Sequence, residues 1–116
     1  GLEVKEKDQD TYRKYRILAY TAGQYRAYQN LVNQKIYDMA LDSLISTIGR
    51  CEEYSSDAKE LGCEGEISDI QAKAEEALEA FKIDTEKALE VYDMKDRTAY
   101  SKEIYQILDD AGLSEE

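Results

Sequence analysis

The side chains best suited to recognition chemistry in this sequence are tyrosines and arginines crowded near its start. Ten tyrosines accompany one Phe and no Trp. Six of them (Tyr12, Tyr15, Tyr20, Tyr25, Tyr28 and Tyr37) fall within 26 residues, interleaved with Arg13, Lys14, Arg16 and Arg26. A tyrosine ring is apolar while its hydroxyl seeks a partner when buried, and the planar fork of arginine matches a carboxylate. Arg13 and Arg16 are three apart and Arg16 and Tyr20 four apart, so on a helix the three share a face. Such a face can line a small polar pocket for an organic anion. The competing reading packs the rings between helices and pairs the arginines with acidic residues further along the chain.

Other chemistry has little to work with. The chain has no histidine, which removes Ser-His-Asp and Cys-His nucleophilic sites and the Glu-x-x-His ligands of di-iron bundles. Zinc would be left with two cysteines and carboxylates, a poor set. No phosphate-binding glycine motif and no EF-hand loop occurs. The carboxylate pairs Glu75/Glu79 and Glu86/Glu90 read as a solvated helix face. Neither catalysis, nor a metal, nor a cofactor is expected. Cys51 and Cys63 form a candidate disulfide, with two free thiols the alternative. One unbroken helix would hold their Cα atoms about 18 Å apart, far beyond the limit of about 7 Å. A disulfide therefore needs the chain to turn back between them, and would imply an oxidising compartment. Ser55, Ser56 and Asp57, with Glu60 after them and Leu61-Gly62 beyond, offer capping signals for such a turn.

The elements that must position these residues are helices. In a chain of 116 residues there is no proline, 42% of residues are apolar and 35% charged, the composition of a helical bundle built as one domain. Tyr15, Leu18, Ala22, Tyr25, Val32, Ile36 and Met39 recur in steps of three and four, broken only by Gln29. This periodicity predicts one long amphipathic helix over about 8–54 with these residues as its seam. Gly23 inside it reads as a tolerated glycine or a close helix approach, a bend being the alternative. After Met39 the seam shifts to Leu41, Leu44, Ile45, Ile48 and Cys51, a change of phase that implies a stutter or a new packing partner. A connection is expected over about 55–68, closed by an S-x-x-Q capping box at Ser68 and Gln71. Helix follows over about 69–111, either continuous or restarting after Asp96-Arg97, with Gly112 as its end. The first fifty residues carry eight Lys/Arg against six Asp/Glu, the rest seven against twenty. That asymmetry favours antiparallel packing of a basic face on an acidic one. The expected fold is all-α, a helical hairpin or three-helix unit of a four-helix bundle, completed by dimerisation. No internal repeat is evident.

A net charge of −11 argues against nucleic acid or an anionic membrane surface as partner. No apolar run is long enough to span a bilayer, and no export signal opens the sequence. Since it begins with Gly1, it reads as an excised piece of a longer protein.

The run Tyr12-Arg13-Lys14-Tyr15-Arg16-Ile17-Leu18-Ala19-Tyr20, followed by the amphipathic stretch to Leu44-Ile45-Ser46-Thr47-Ile48, resembles the helical sensor modules found outside the membrane in bacterial chemoreceptors and sensor kinases. The helical bimodular type is the nearest. Residues 80–84 (Ala-Phe-Lys-Ile-Asp), Lys87 and the closing Ile107-Leu108-Asp109-Asp110-Ala111-Gly112 are similar to that family's second segment, so the resemblance covers about 11–113. It implies a periplasmic ligand-sensing domain of an inner-membrane receptor. Such a domain binds a small organic anion or amino acid and transmits a helix displacement, with membrane segments outside this sequence. Carried over by position, the ligand contacts would be Arg13, Arg16, Tyr20 and Arg26. Complete domains of that family are larger, which implies a homodimer that completes the bundle. The Cys51/Cys63 connection has no place in the family pattern. The rival reading is a structural spacer or protein-interaction module. A spectrin-like version of it is disfavoured because such repeats carry a core tryptophan.

Overall fold

The computed structural model describes residues 2–114, and side-chain surroundings from Asp8 onward. The elements are α1 (Leu2–Asn33), α2 (Tyr37–Leu61), α3 (Glu64–Ala77), a 3₁₀ turn (Leu78–Phe81), α4 (Thr85–Tyr92) and α5 (Arg97–Asp110). No strand occurs among the described residues, so the all-α expectation holds. The helix boundaries differ from those the periodicity predicts.

One device ends helices at four places. Lys35, Gly62, Lys82 and Gly112 adopt positive φ (62°, 75°, 56° and 75°). In each case the amide of that residue bonds the carbonyl three back, and the next amide bonds the carbonyl five back. The pairs are Lys35→Val32 at 2.9 Å with Ile36→Leu31 at 2.9 Å, and Gly62→Lys59 at 3.3 Å with Cys63→Ala58 at 2.8 Å. Lys82→Glu79 at 3.1 Å with Ile83→Leu78 at 3.5 Å, and Gly112→Asp109 at 3.1 Å with Leu113→Leu108 at 2.8 Å, complete the set. This is the Schellman closure, which usually carries an apolar contact between the residue after the left-handed position and the last helical turn. Ile36/Leu31, Cys63/Ala58, Ile83/Leu78 and Leu113/Leu108 all supply apolar pairs.

The predicted helix over 8–54 is therefore two helices, broken at Lys35, where a lysine takes a position that glycine usually fills. The predicted connection over 55–68 is mostly helix. Cys51, Tyr54, Ala58 and Leu61 continue one inward or half-buried stripe in steps of three and four, and this packing overrides the capping signal of Ser55-Ser56-Asp57. Ser55 turns its hydroxyl back to donate to the carbonyl of Glu52 at 2.8 Å. Ser68 is no cap, since α3 has already begun at Glu64, and Gln71 donates to Glu75 at 3.1 Å. Of the two alternatives for 69–111, the restart after Asp96 is the one found, and Gly112 closes the helix as expected; the stretch before Asp96 is corrected, since the left-handed turn at Lys82 breaks it into α3 and α4. Asp96 caps α5, accepting from the amides of Thr98 at 2.9 Å and Ala99 at 3.2 Å.

The hub of the fold is α2, which touches α1, α3, α4 and α5. Its buried face, Ala40, Leu41, Leu44, Ile45, Ile48 and Cys51, is fully enclosed, as the second seam predicts. One core joins this face to Tyr28, Leu78, Phe81, Val91, Ile104 and Leu108. A smaller one joins Ile17, Cys51, Ala58, Cys63 and Ile67. Tyr28 lies with Leu44 and Ile17 with Ala58, so α1 and α2 run antiparallel. The molecule extends 61 × 28 × 19 Å.

The predicted α1 seam is corrected. Leu18, Ala22, Tyr25 and Val32 are only half-buried, while Tyr15 and Met39 are 70% and 57% exposed. The residues of α1 that reach the core are Ile17, Thr21 and Tyr28. Thr21 does so by donating its hydroxyl to the Ile17 carbonyl at 2.9 Å, which hides a polar residue in an apolar stripe.

The disulfide expectation is also corrected. Cys51 and Cys63 are free and buried. The chain does turn back, but only at Gly62. Between Cys51 and Leu61 lies unbroken helix rising about 15 Å, too long for the bond.

Candidate functional site

Three of the four predicted contact residues converge. Arg13, Arg16 and Tyr20 line an open groove of about 520 Å³ between α1 and α2, together with Tyr15, Tyr54 and Asp57. Spacing on α1 explains the convergence, since positions 13, 16 and 20 flank Ile17, which is buried against α2. From α2, Tyr54 and Asp57 sit three apart on the opposing face. Arg26 is exposed and does not line the groove. It lies ten residues beyond Arg16 on α1, about 15 Å along the axis, so the fourth predicted contact is separate from the other three.

The charges in the groove are partly spoken for. Arg13 reaches Asp57 across the helices at 3.8 Å and Asp10 on its own helix at 3.6 Å. Arg16 makes no ion pair among the described residues, and its guanidinium lies 5.9 Å from the centre of the Tyr12 ring. Arg13–Asp57 is the one ion pair among the described residues that joins α1 to the acidic half. The expected opposition of basic and acidic faces thus acts through a single exposed, long pair of small energetic weight.

Beyond the groove, sequence reasoning missed a row of polar groups on α2. Arg50 sits over the Tyr20 ring with its guanidinium 5.1 Å from the centre, and Tyr20 meets Tyr54 edge-on at 6.3 Å. Arg50 donates to Glu53 at 3.1 Å, and the hydroxyl of Tyr92 on α4 donates to the same carboxylate at 2.9 Å. Burial, then this bond to an anion, pushes the Tyr92 hydroxyl up to about 12. Arg50, Tyr54 and Asp57 recur at steps of four and three, a helical face that the sequence displays but that the predicted connection over 55–68 obscured.

A larger hollow of about 880 Å³ runs along α5 beside Arg97, Lys102 and Tyr105. It is the outer surface of one helix with no opposing element, and it brings together none of the groove residues. Among the described residues no cluster of metal-ligating side chains occurs, and no helix is long and apolar enough to cross a membrane. The buried thiol of Cys51 is pushed up to about 11 by burial, with the nearby Glu75 charge adding to the effect. It is thus a protonated core residue at neutral pH, not a nucleophile. No protein-family model, no curated protein and no solved structure matches the chain.

Proposed function

We propose that this chain is a non-catalytic helical binding module whose α1–α2 groove takes a small organic anion, with an amino acid the best chemical fit. The observation that carries this reading is Arg16, a guanidinium at the groove that stacks near tyrosine and pairs with no described carboxylate. A ligand carboxylate is a bidentate partner for such a fork. Asp57, held only loosely by Arg13, offers a place for an α-ammonium group, and the rings of Tyr20 and Tyr54 supply flat apolar walls. Binding across α1 and α2 would couple occupancy to the relative position of the two helices, as ligand sensing requires. The receptor setting, a periplasmic module of a chemotaxis or sensor-kinase chain assembled as a four-helix bundle, comes from the resemblance of residues 11–113 and not from the groove.

The test is thermal unfolding against a panel of amino acids and small carboxylates. Ligand at 100 times its dissociation constant adds about 2.7 kcal/mol to the folded state, a shift on the order of 10 °C for a domain of this size. Arg16→Ala should abolish the shift with far-ultraviolet circular dichroism unchanged. If no member of the panel moves the midpoint, the binding reading fails and the spacer or protein-interaction reading replaces it. One observation already favours that second reading, the exposure of Tyr12 and Tyr15 on α1.

A further inference from the structure

The outer face of α1 is built with a pattern that the fold itself does not use. Asp8, Tyr12, Tyr15, Ala19, Ala22 and Arg26 follow steps of four, three, four, three and four, the spacing of a helix-pairing seam. Their exposure marks the face as unpartnered. Tyr12 and Tyr15 are 62% and 70% exposed, Asp8, Ala19 and Arg26 are exposed, and Ala22 is half-buried. Gly23 lies beside Ala22, and a Cβ built on it meets nothing within 4 Å. Glycine is less favourable than alanine inside a helix, yet no contact within the chain calls for it.

The six positions read the same in both directions. Their numbers are symmetric about residue 17, so an antiparallel second copy would place each residue i against residue 34 − i. Asp8 then faces Arg26, Tyr12 faces Ala22 with Gly23 beside it, and Tyr15 faces Ala19. Each large ring meets a small residue, and each charge at the end of the seam meets its opposite. A parallel pairing would set Asp8 on Asp8, Arg26 on Arg26 and each tyrosine on itself, which combines like-charge repulsion with poor packing.

We infer that the outer face of α1 is a self-complementary docking surface for a second copy of this chain, paired antiparallel about a two-fold axis near residue 17. The contact runs from residue 8 to residue 26, about 27 Å of helix. The pairing covers the outer edge of the groove at Tyr15 and Ala19. It also sends the two α1 N-termini in opposite directions. Tyr15 and Ala19 are shared with the groove, while Asp8 and Arg26, on which the test below acts, lie outside it.

The test is sedimentation of the whole chain over a concentration series reaching the millimolar range. The expected result is a species of twice the 13.3 kDa chain mass. Asp8→Lys or Arg26→Glu alone should weaken dimerisation about tenfold, because two symmetry-related pairs turn repulsive at once. The double variant should restore it. Both substitutions are at exposed positions, so helicity should hold in all three variants. As a geometric check, Tyr15→Cys and Ala19→Cys chains should cross-link when mixed, faster than either links to itself. A monomer at every concentration, a double variant as weak as the singles, or preferred Ala19→Cys self-linking would each overturn the inference. Anion binding measured by Arg16→Ala is a separate readout and can fail or succeed without this result.

Discussion

Gly49 and Tyr92 offer the sharpest test of the packing. Gly49 is buried in the middle of α2, and the ring carbons Cγ, Cδ1 and Cδ2 of Tyr92 occupy the place where a Cβ at residue 49 would go. The ring is held down at its far end, where its hydroxyl donates to Glu53 at 2.9 Å. Gly49 and Glu53 are one helical turn apart, so the tyrosine lies flat along α2 with glycine under the ring and a carboxylate under the hydroxyl. Gly49→Ala must lift the ring. Overpacking of this kind costs about 1–3 kcal/mol, and losing a hydrogen bond to a charged group costs about 1.5–3 kcal/mol more. Alanine returns about 1 kcal/mol through helix propensity. The net expectation is a loss of about 1.5–5 kcal/mol, read as a lower urea midpoint by circular dichroism at constant slope. In a Tyr92→Ala background the obstacle is gone and only the propensity gain remains. The same Gly49→Ala change should then stabilise by about 1 kcal/mol. A cycle of the four proteins thus predicts a reversal of sign and a coupling of about 2.5–6 kcal/mol. Equal effects in the two backgrounds, or stabilisation by Gly49→Ala alone, would refute the close approach of α4 to α2.

Lys35→Gly should raise stability by about 1 kcal/mol, because a residue with a Cβ at φ 62° sits in a disfavoured region that glycine enters freely; urea titration checks it. Asp96→Ala should cost about 1 kcal/mol, and Asp96→Asn only a few tenths, since the cap accepts from two amides at the start of α5. Tyr92 and Tyr100 are both pushed above the usual tyrosine range, by burial first and then by bonds to Glu53 and Asp42. Folding therefore favours their protonated forms, so that contribution is complete below pH of about 10 and is lost above it, the Tyr92 share as pH rises through about 12 and the Tyr100 share later. Burial also raises Tyr28, so tyrosinate absorbance should show a late-ionising group from which Tyr92→Phe and Tyr100→Phe each remove one. Cys51 and Cys63 should react with a thiol reagent at neutral pH only as fast as the protein unfolds, and oxidation should not join them.

The helical class and the inward face of α2 were legible because apolar residues there recur without interruption and all become core. The break at Lys35 was not. Its Schellman closure depends on hydrogen bonds and on the apolar pair Leu31/Ile36, and a lysine gives no sign that its backbone will turn left-handed. The same pairing of apolar residues five apart marks Gly62 and Gly112, where glycine made the turns visible. Capping residues misled in the opposite direction. Ser55, Ser56 and Asp57 advertise a helix start, but the buried stripe through Cys51 and Ala58 carries α2 straight past them, so tertiary burial outweighs a signal worth about 1 kcal/mol.

The candidate site follows the same division. Arg13, Arg16 and Tyr20 were found because three- and four-residue spacing on one helix is enough to place them together. Tyr54 and Asp57 complete the opposing wall, with Arg50 beside it over the Tyr20 ring, and finding them required knowing that α2 continues and folds back antiparallel on α1. Arg26 stands apart from the other three for a related reason. Membership of one Arg/Tyr-rich run does not imply one face, and the residue lies ten positions further along the axis. Its regular spacing from Asp8, Tyr12, Tyr15, Ala19 and Ala22 points outward, away from α2. The tyrosines that composition made conspicuous thus divide by direction. Tyr28 closes the core against Phe81, Tyr20 lines the groove, and Tyr12 and Tyr15 stand exposed, Tyr15 at the groove's outer edge. A residue type chosen for an apolar ring and a polar tip suits all three environments. Its abundance therefore signals many half-buried positions before it signals any one ligand, and only the fold tells them apart.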